Sequence, residues 1–170
     1  MAGQYAKGTE VPVSRSIDEI RRTLNRYGAT SFTTHEDNEK RIALIGFAMN
    51  GRQVRFLLAL PDPAAREFTH TPEKRQRRTD AAAAELYERA VKRIYRVFAN
   101  TALAMLEAVA SGLVAFEELF LPFTVLPGGM TVAETVGDQW LRRMRRVRFR
   151  RCCRITAVGA RSRQAADGRP

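Results

Sequence analysis

A chain of 170 residues, 45% of them apolar, is long enough for one domain with a buried core and too apolar for a wholly disordered one. No N-terminal apolar stretch resembles a signal peptide, and Glu107, Glu117, Glu118 and Pro122 interrupt the most apolar region, Ala99 to Leu126; the expectation is a cytoplasmic protein with no membrane span. Of 29 basic and 18 acidic residues, 11 arginines and a single aspartate fall in 141–170, so the tail carries +10 of the net +11 and the preceding residues only +1.

Met1 to Arg15 reads as extended and partly ordered. Ser16 and Glu19 have capping-box spacing, in which the Ser hydroxyl and the Glu carboxylate each satisfy an orphan N–H at a helix start. The helix that follows carries Ile17, Ile20, Leu24 and Tyr27 on one stripe and ends at Gly28. Thr30 to His35 is rich in β-prone residues, and the polar run Glu36 to Lys40 turns the chain. From Arg41 to Pro61 two apolar runs flank Asn50-Gly51, the dipeptide suited to a type I′ turn. With those two residues as the loop, Met49 faces Arg52, Phe47 faces Val54, Ile45 faces Phe56 and Ala43 faces Leu58. That side is apolar and suits a core. The opposite side pairs Ala48 with Gln53, Gly46 with Arg55 and Leu44 with Leu57.

Pro61-Asp62-Pro63 stops the third strand, and Ala64 to Arg78 reads as a polar loop. Thr79 suits the N-cap of a long helix beginning near Asp80. Its apolar stripe runs through Leu86, Ala90, Ile94, Val97 or Phe98, Ala102, Met105 and Val109, until Gly112 ends or kinks it. A shorter helix over Ala115 to Leu121, a β-prone Thr124 to Leu126, a Pro127-Gly128-Gly129 turn and a second capping box, Thr131 with Glu134, complete the body. The expected fold is α+β, a single domain over 1–139. It comprises an N-terminal helix, a three-stranded antiparallel meander and a long C-terminal helix packed on the sheet, with an Arg-rich, disordered tail over 140–170.

The tail admits three readings: a basic arm for phosphates, a membrane-surface helix, or a stretch translated out of its ancestral frame. One permitted back-translation, read in the neighbouring frame, gives an Ala-rich helix, a turn and an apolar Leu-Leu-Pro end, which favours the third. Cys152 and Cys153 are adjacent and have no other cysteine to pair with, so they read as thiols without a role.

Catalytic motifs are few. There is no glycine-rich phosphate loop, no Cys-x-x-Cys and no His-Glu-x-x-His, and no cofactor is called for. His35, Asp37 and Glu39 are metal-ligand types that would suit a metal-dependent nuclease, but at a turn they fit a solvated acidic loop better. His70 reads as exposed, and Glu117 and Glu118, adjacent on a helix, diverge by about 100° and cannot face each other as an acid/base pair. The functional-looking feature is basic. Lys74, Arg75, Arg77 and Arg78 precede the long helix, where its dipole disfavours positive charge, and a cluster retained there suits an anionic partner. Arg52 and Arg55 near the hairpin turn extend it, as do Lys92, Arg93 and Arg96, while Glu85, Glu88 and Arg89 make i,i+4 pairs.

Tyr5-Ala6-Lys7-Gly8-Thr9 with Val11, Arg26-Tyr27-Gly28-Ala29, and Gly51-Arg52-Gln53-Val54-Arg55-Phe56 ending at Leu60-Pro61-Asp62 resemble uncharacterised small proteins encoded by bacteriophages and prophages. The resemblance spans Tyr5 to Glu134. It implies a mobile-element origin and a role near replication or recombination, with no established active site. Such proteins finish with an Ala-rich helix and an apolar Leu-Pro segment, which the Arg-rich tail here replaces. The resulting expectation is a non-enzymatic accessory protein binding DNA or RNA through Arg52, Arg55, Lys74, Arg75, Arg77 and Arg78. The alternative is a structural protein whose long helix buries its stripe in a homodimer.

Overall fold

Two consecutive residues of positive φ decide where the chain doubles back. Asn50 (φ 53°) and Gly51 (φ 72°) join the second strand, β2 (Ile42–Met49), to the third, β3 (Arg52–Ala59). Two left-handed residues match the twist of the flanking strands, which fixes the register. The four inner-face pairs, from Met49–Arg52 to Ala43–Leu58, are those the alternation dictates. The first strand, β1 (Ser31–Asp37), pairs antiparallel with β2, giving the sheet order β1-β2-β3. The computed structural model describes residues 11–72 and 76–137; the tail with its two cysteines lies outside them.

Helix α1 (Val13–Arg26) starts three residues before the Ser16–Glu19 signal. Pro12 is the N-cap, and its carbonyl accepts the Ser16 N–H at 3.2 Å. The predicted capping box is therefore not formed. Ser16 lies one turn inside the helix with no exposed surface, and Glu19 turns to Arg96 instead. The Ser16 Oγ finds no hydrogen-bond partner among the described residues. A buried, unpaired hydroxyl is unfavourable and Ala is the better helix former. Ser16→Ala is expected to raise stability by about 1 kcal/mol, read as a higher urea midpoint; a lower midpoint would mean that the hydroxyl is bonded. The helix ends on Gly28 (φ 94°), whose N–H bonds the Asn25 carbonyl while the Ala29 N–H bonds that of Leu24, a Schellman closure that needs a left-handed residue.

The segment read as a polar loop contains a turn of helix, α2 (Arg66–Thr69), because Phe68 is buried edge-on against Tyr87 at 5.9 Å between ring centroids. Helix α3 (Asp80–Ala110) begins as expected, with Thr79 Oγ1 accepting the Ala82 N–H. Its stripe divides. Tyr95, Phe98, Ala99, Ala102 and Leu106 are buried in the central core, whereas Leu86, Ala90 and Ile94 face α2 and stay half-exposed. Phe98, not Val97, is the inward residue. Of the stripe offered for a homodimer, Phe98 and Ala102 are buried in the chain's own core, and Met105 and Val109 are partly buried against it.

Helix α4 (Phe116–Phe120) and the 3₁₀ turn Leu121–Phe123 bring three more rings onto the sheet's inner face. Phe120 meets Phe47 edge-on at 5.9 Å, and Phe123 lies 4.2 Å from Phe56. The chain then runs beside β3, the Val125 N–H bonding the Gln53 carbonyl at 2.8 Å. The second capping box is formed: Thr131 and Glu134 exchange bonds of 2.6 and 3.2 Å at the start of the helical residues 132–137. Among the described residues no helix is long and apolar enough to cross a membrane.

Candidate nucleic-acid interface

Of the six basic residues singled out in the sequence, the four that the structure describes do not form one patch. Arg52 and Arg55 stand at the turn end of β3, and each is held by an acid. Arg52 Nε lies 3.4 Å from Glu117, and Arg55 Nη2 lies 2.7 Å from Glu134. The Thr131 backbone N–H first, and then the Thr131 hydroxyl and Arg55, hold the Glu134 carboxyl below the usual carboxylate range. These two arginines therefore tie α4 and the residues after it to β3, with their charges answered inside the fold. Arg77 and Arg78 lie beyond the other end of that strand, on the order of 20 Å away by strand rise. Lys74 and Arg75 lie outside the described residues.

Around Arg78 the structure gathers a different set. Its backbone N–H bonds the Thr69 carbonyl at 2.7 Å and its Nε the His70 carbonyl at 3.3 Å, so the α2 turn fixes where the guanidinium stands. Arg89 and Arg93 rise from α3 one turn apart, and all three line one cavity of about 320 Å³ between α2 and α3. Its apolar wall is Phe68, Leu86 and Ile94, and among the described residues Glu67 is the only acid that lines it. Arg77 does not line the cavity; its side chain is mostly exposed and lies 3.7 Å from Asp80.

The charges here are not all answered. Arg89 pairs with Glu85 and Lys92 with Glu88, as the i,i+4 spacing predicts, and Arg96 crosses to Glu19 on α1. Arg93 is half-buried and makes no ion pair or hydrogen bond among the described residues. Like charges one helical turn apart repel, so Arg89 and Arg93 raise the local potential at the cavity mouth. On α1, Arg15, Arg22 and Arg26 line a second depression of about 600 Å³ against α3 and have no ion pair among the described residues.

The acidic turn offers no comparable assembly. Among the described residues no three His, Cys, Asp or Glu side chains are grouped to hold a metal. Asp37 accepts the Lys40 N–H at 2.9 Å, and that bond, with the Lys40 charge, draws its carboxyl below the usual range and closes the turn. Glu36 instead receives the Tyr95 hydroxyl, which burial and that carboxylate push well above the ordinary tyrosine value. No protein-family model, curated protein or solved structure matches this chain.

Proposed function

We propose that this protein is a non-enzymatic nucleic-acid-binding module, an accessory protein of a phage or prophage with a role near replication or recombination. Its contact surface is the α2–α3 face, with Arg78, Arg89 and Arg93 at the centre and Arg77 next to Arg78 in the chain; Lys74 and Arg75, also singled out in the sequence, lie outside the described residues. The observation that carries the reading is the convergence of three guanidiniums on one concavity, with a half-buried Arg93 left unpaired. Clustered arginine neutralises phosphates and releases their counterions, which binds nucleic acid without regard to sequence. Arg52 and Arg55 drop from the contact surface, since they stand at the turn end of β3, tied to Glu117 and Glu134, and do not line this cavity.

The test is fluorescence anisotropy of the full chain with labelled single- and double-stranded oligonucleotides across a salt series. Every variant carries the same Arg-rich tail, so its contribution cancels in the comparison. Arg89→Ala with Arg93→Ala keeps good helix formers on α3 and is expected to weaken binding. It should also reduce the slope of log affinity against log salt by about 1 for each lost contact. Arg52→Ala is expected to leave both unchanged. Superimposable curves for the double variant and the parent would remove the proposal.

A further inference from the structure

Resting on that reading, we infer that the α2–α3 cavity holds one nucleoside phosphate unit, with the phosphate at Arg78, Arg89 and Arg93 and the base against Phe68, Leu86 and Ile94.

Two unpaired opposite charges line this space. Glu67 and Arg93 both face the cavity, yet neither has an ion-pair partner within 4 Å among the described residues. Left to themselves, a carboxylate and a guanidinium in one concavity would close on each other. Here they line the same cavity between α2 and α3 more than 4 Å apart, which leaves room for a molecule between them. Three guanidiniums line the cavity, Arg89 paired with Glu85 and Arg93 unpaired, against one lining acid among the described residues, and they favour a phosphate over a carboxylate ligand because a phosphate presents more acceptor oxygens to bidentate arginine. The apolar wall requires that the same ligand also carry a flat or apolar body, which inorganic phosphate lacks. A cavity of about 320 Å³ is at the small end for ligand sites and suits one nucleotide, not a duplex segment.

Glu67 then has a use that a purely electrostatic surface would not give it. A carboxylate accepts hydrogen bonds but donates none, so it selects bases with an exocyclic amino group over those that present a carbonyl there. The partner is accordingly a single strand with an accessible base, or a free mononucleotide, and cytosine is favoured over uracil or thymine.

Isothermal titration calorimetry of the full chain with cytidine 5′-monophosphate, uridine 5′-monophosphate, cytidine and inorganic phosphate tests this. Cytidine monophosphate is expected to bind about fivefold or more tightly than uridine monophosphate, the scale of one good base contact. It should also exceed cytidine and inorganic phosphate alone. Glu67→Gln, an exposed change on α2, should abolish the preference between the two nucleotides, and Arg93→Gln should weaken both. The inference is overturned if inorganic phosphate matches the nucleotides, if no nucleotide binds, or if Arg93→Gln leaves nucleotide affinity unchanged, since the binding would then reside elsewhere on the chain. The two proposals fail separately. If the Arg89/Arg93 variant loses oligonucleotide binding while mononucleotides never bind, the basic surface stands and the nucleotide site falls. If mononucleotides bind through Arg93 while oligonucleotide binding ignores it, the site stands and the nucleic-acid reading falls.

Discussion

Phe120→Ala is expected to destabilise the fold by about 3–5 kcal/mol, the largest effect of any single truncation considered for this chain. The ring is 1% exposed and stands where α4 meets the sheet: 4.6 Å from Phe116 along the helix, 5.9 Å from Phe47 and 6.4 Å from Phe56 across the interface. Removing it opens a ring-sized void and also cancels three aromatic contacts, and the neighbours, themselves fixed by strand register, have little freedom to close in. The check is urea unfolding followed by circular dichroism, with the slope m unchanged so that the midpoint reports stability. Leu113→Ala is the control, since Leu113 is 82% exposed just after α3 and should shift the midpoint by no more than about 0.5 kcal/mol. A loss below about 1 kcal/mol for Phe120→Ala would mean that α4 does not depend on this ring for its place on the sheet.

The second large effect belongs to the other side of the core. Leu24 is 1% exposed, in the last full turn of α1, and its carbonyl is also the acceptor that closes the helix through Ala29. Leu24→Ala is expected to cost about 2–5 kcal/mol. Helix propensity does not offset this, because Leu and Ala are both good helix formers and the whole cost comes from lost packing. Amide exchange supplies a second readout. The N–H groups of α1 should exchange faster in the variant by a factor that matches the equilibrium loss, because the helix is short and owes its stability to the face it buries. Unchanged exchange in α1 together with an unchanged midpoint would sink this account of how the helix is anchored.

Much of the architecture was legible because local and long-range signals agreed. Asn50-Gly51 demands a turn of one handedness, and strict alternation on both sides leaves a single register in which Ile45 and Phe56 share the buried face. Thr79, Gly28, Gly112 and the Thr131–Glu134 pair each carry their own capping chemistry and needed no tertiary information. The failures have physical causes of the same kind. Ser16 fits a cap as well as it fits the buried side of a helix, and Pro12, which can begin a helix four residues earlier, outcompeted it. Phe68 is one apolar residue in a polar run, a signal too sparse for periodicity to find, yet burying it folds α2.

The candidate site was the least legible part. Arg52 and Arg55 looked free because the acids that bind them lie 65 and 79 residues further along the chain. The sequence already offered Arg93 as an extension of the basic cluster and Arg89 as a partner in i,i+4 pairs, and Arg89 does pair with Glu85. What turns the pair into one wall of a cavity is α2 folding back over α3, which depends on the buried Phe68. Glu67 gains its importance in the same way, from position alone.

The free side of β1 has a consequence for how copies of this protein meet one another. Among the described residues no strand pairs with β1 on the side away from β2, and Ser31, Thr33, Thr34, His35 and Glu36 along it are exposed. An open strand edge is a template on which a second molecule can extend the sheet, and hydroxyl-bearing residues do little to discourage it. Glu36 and Asp37 do, because their carboxylates, each already bonded within the chain to Tyr95 or Lys40, would have to lose their remaining water when two copies align. The safeguard against an intermolecular sheet is therefore local, resting on two acids at one end of a single strand and not on the net charge of residues 1–140, which is only +1.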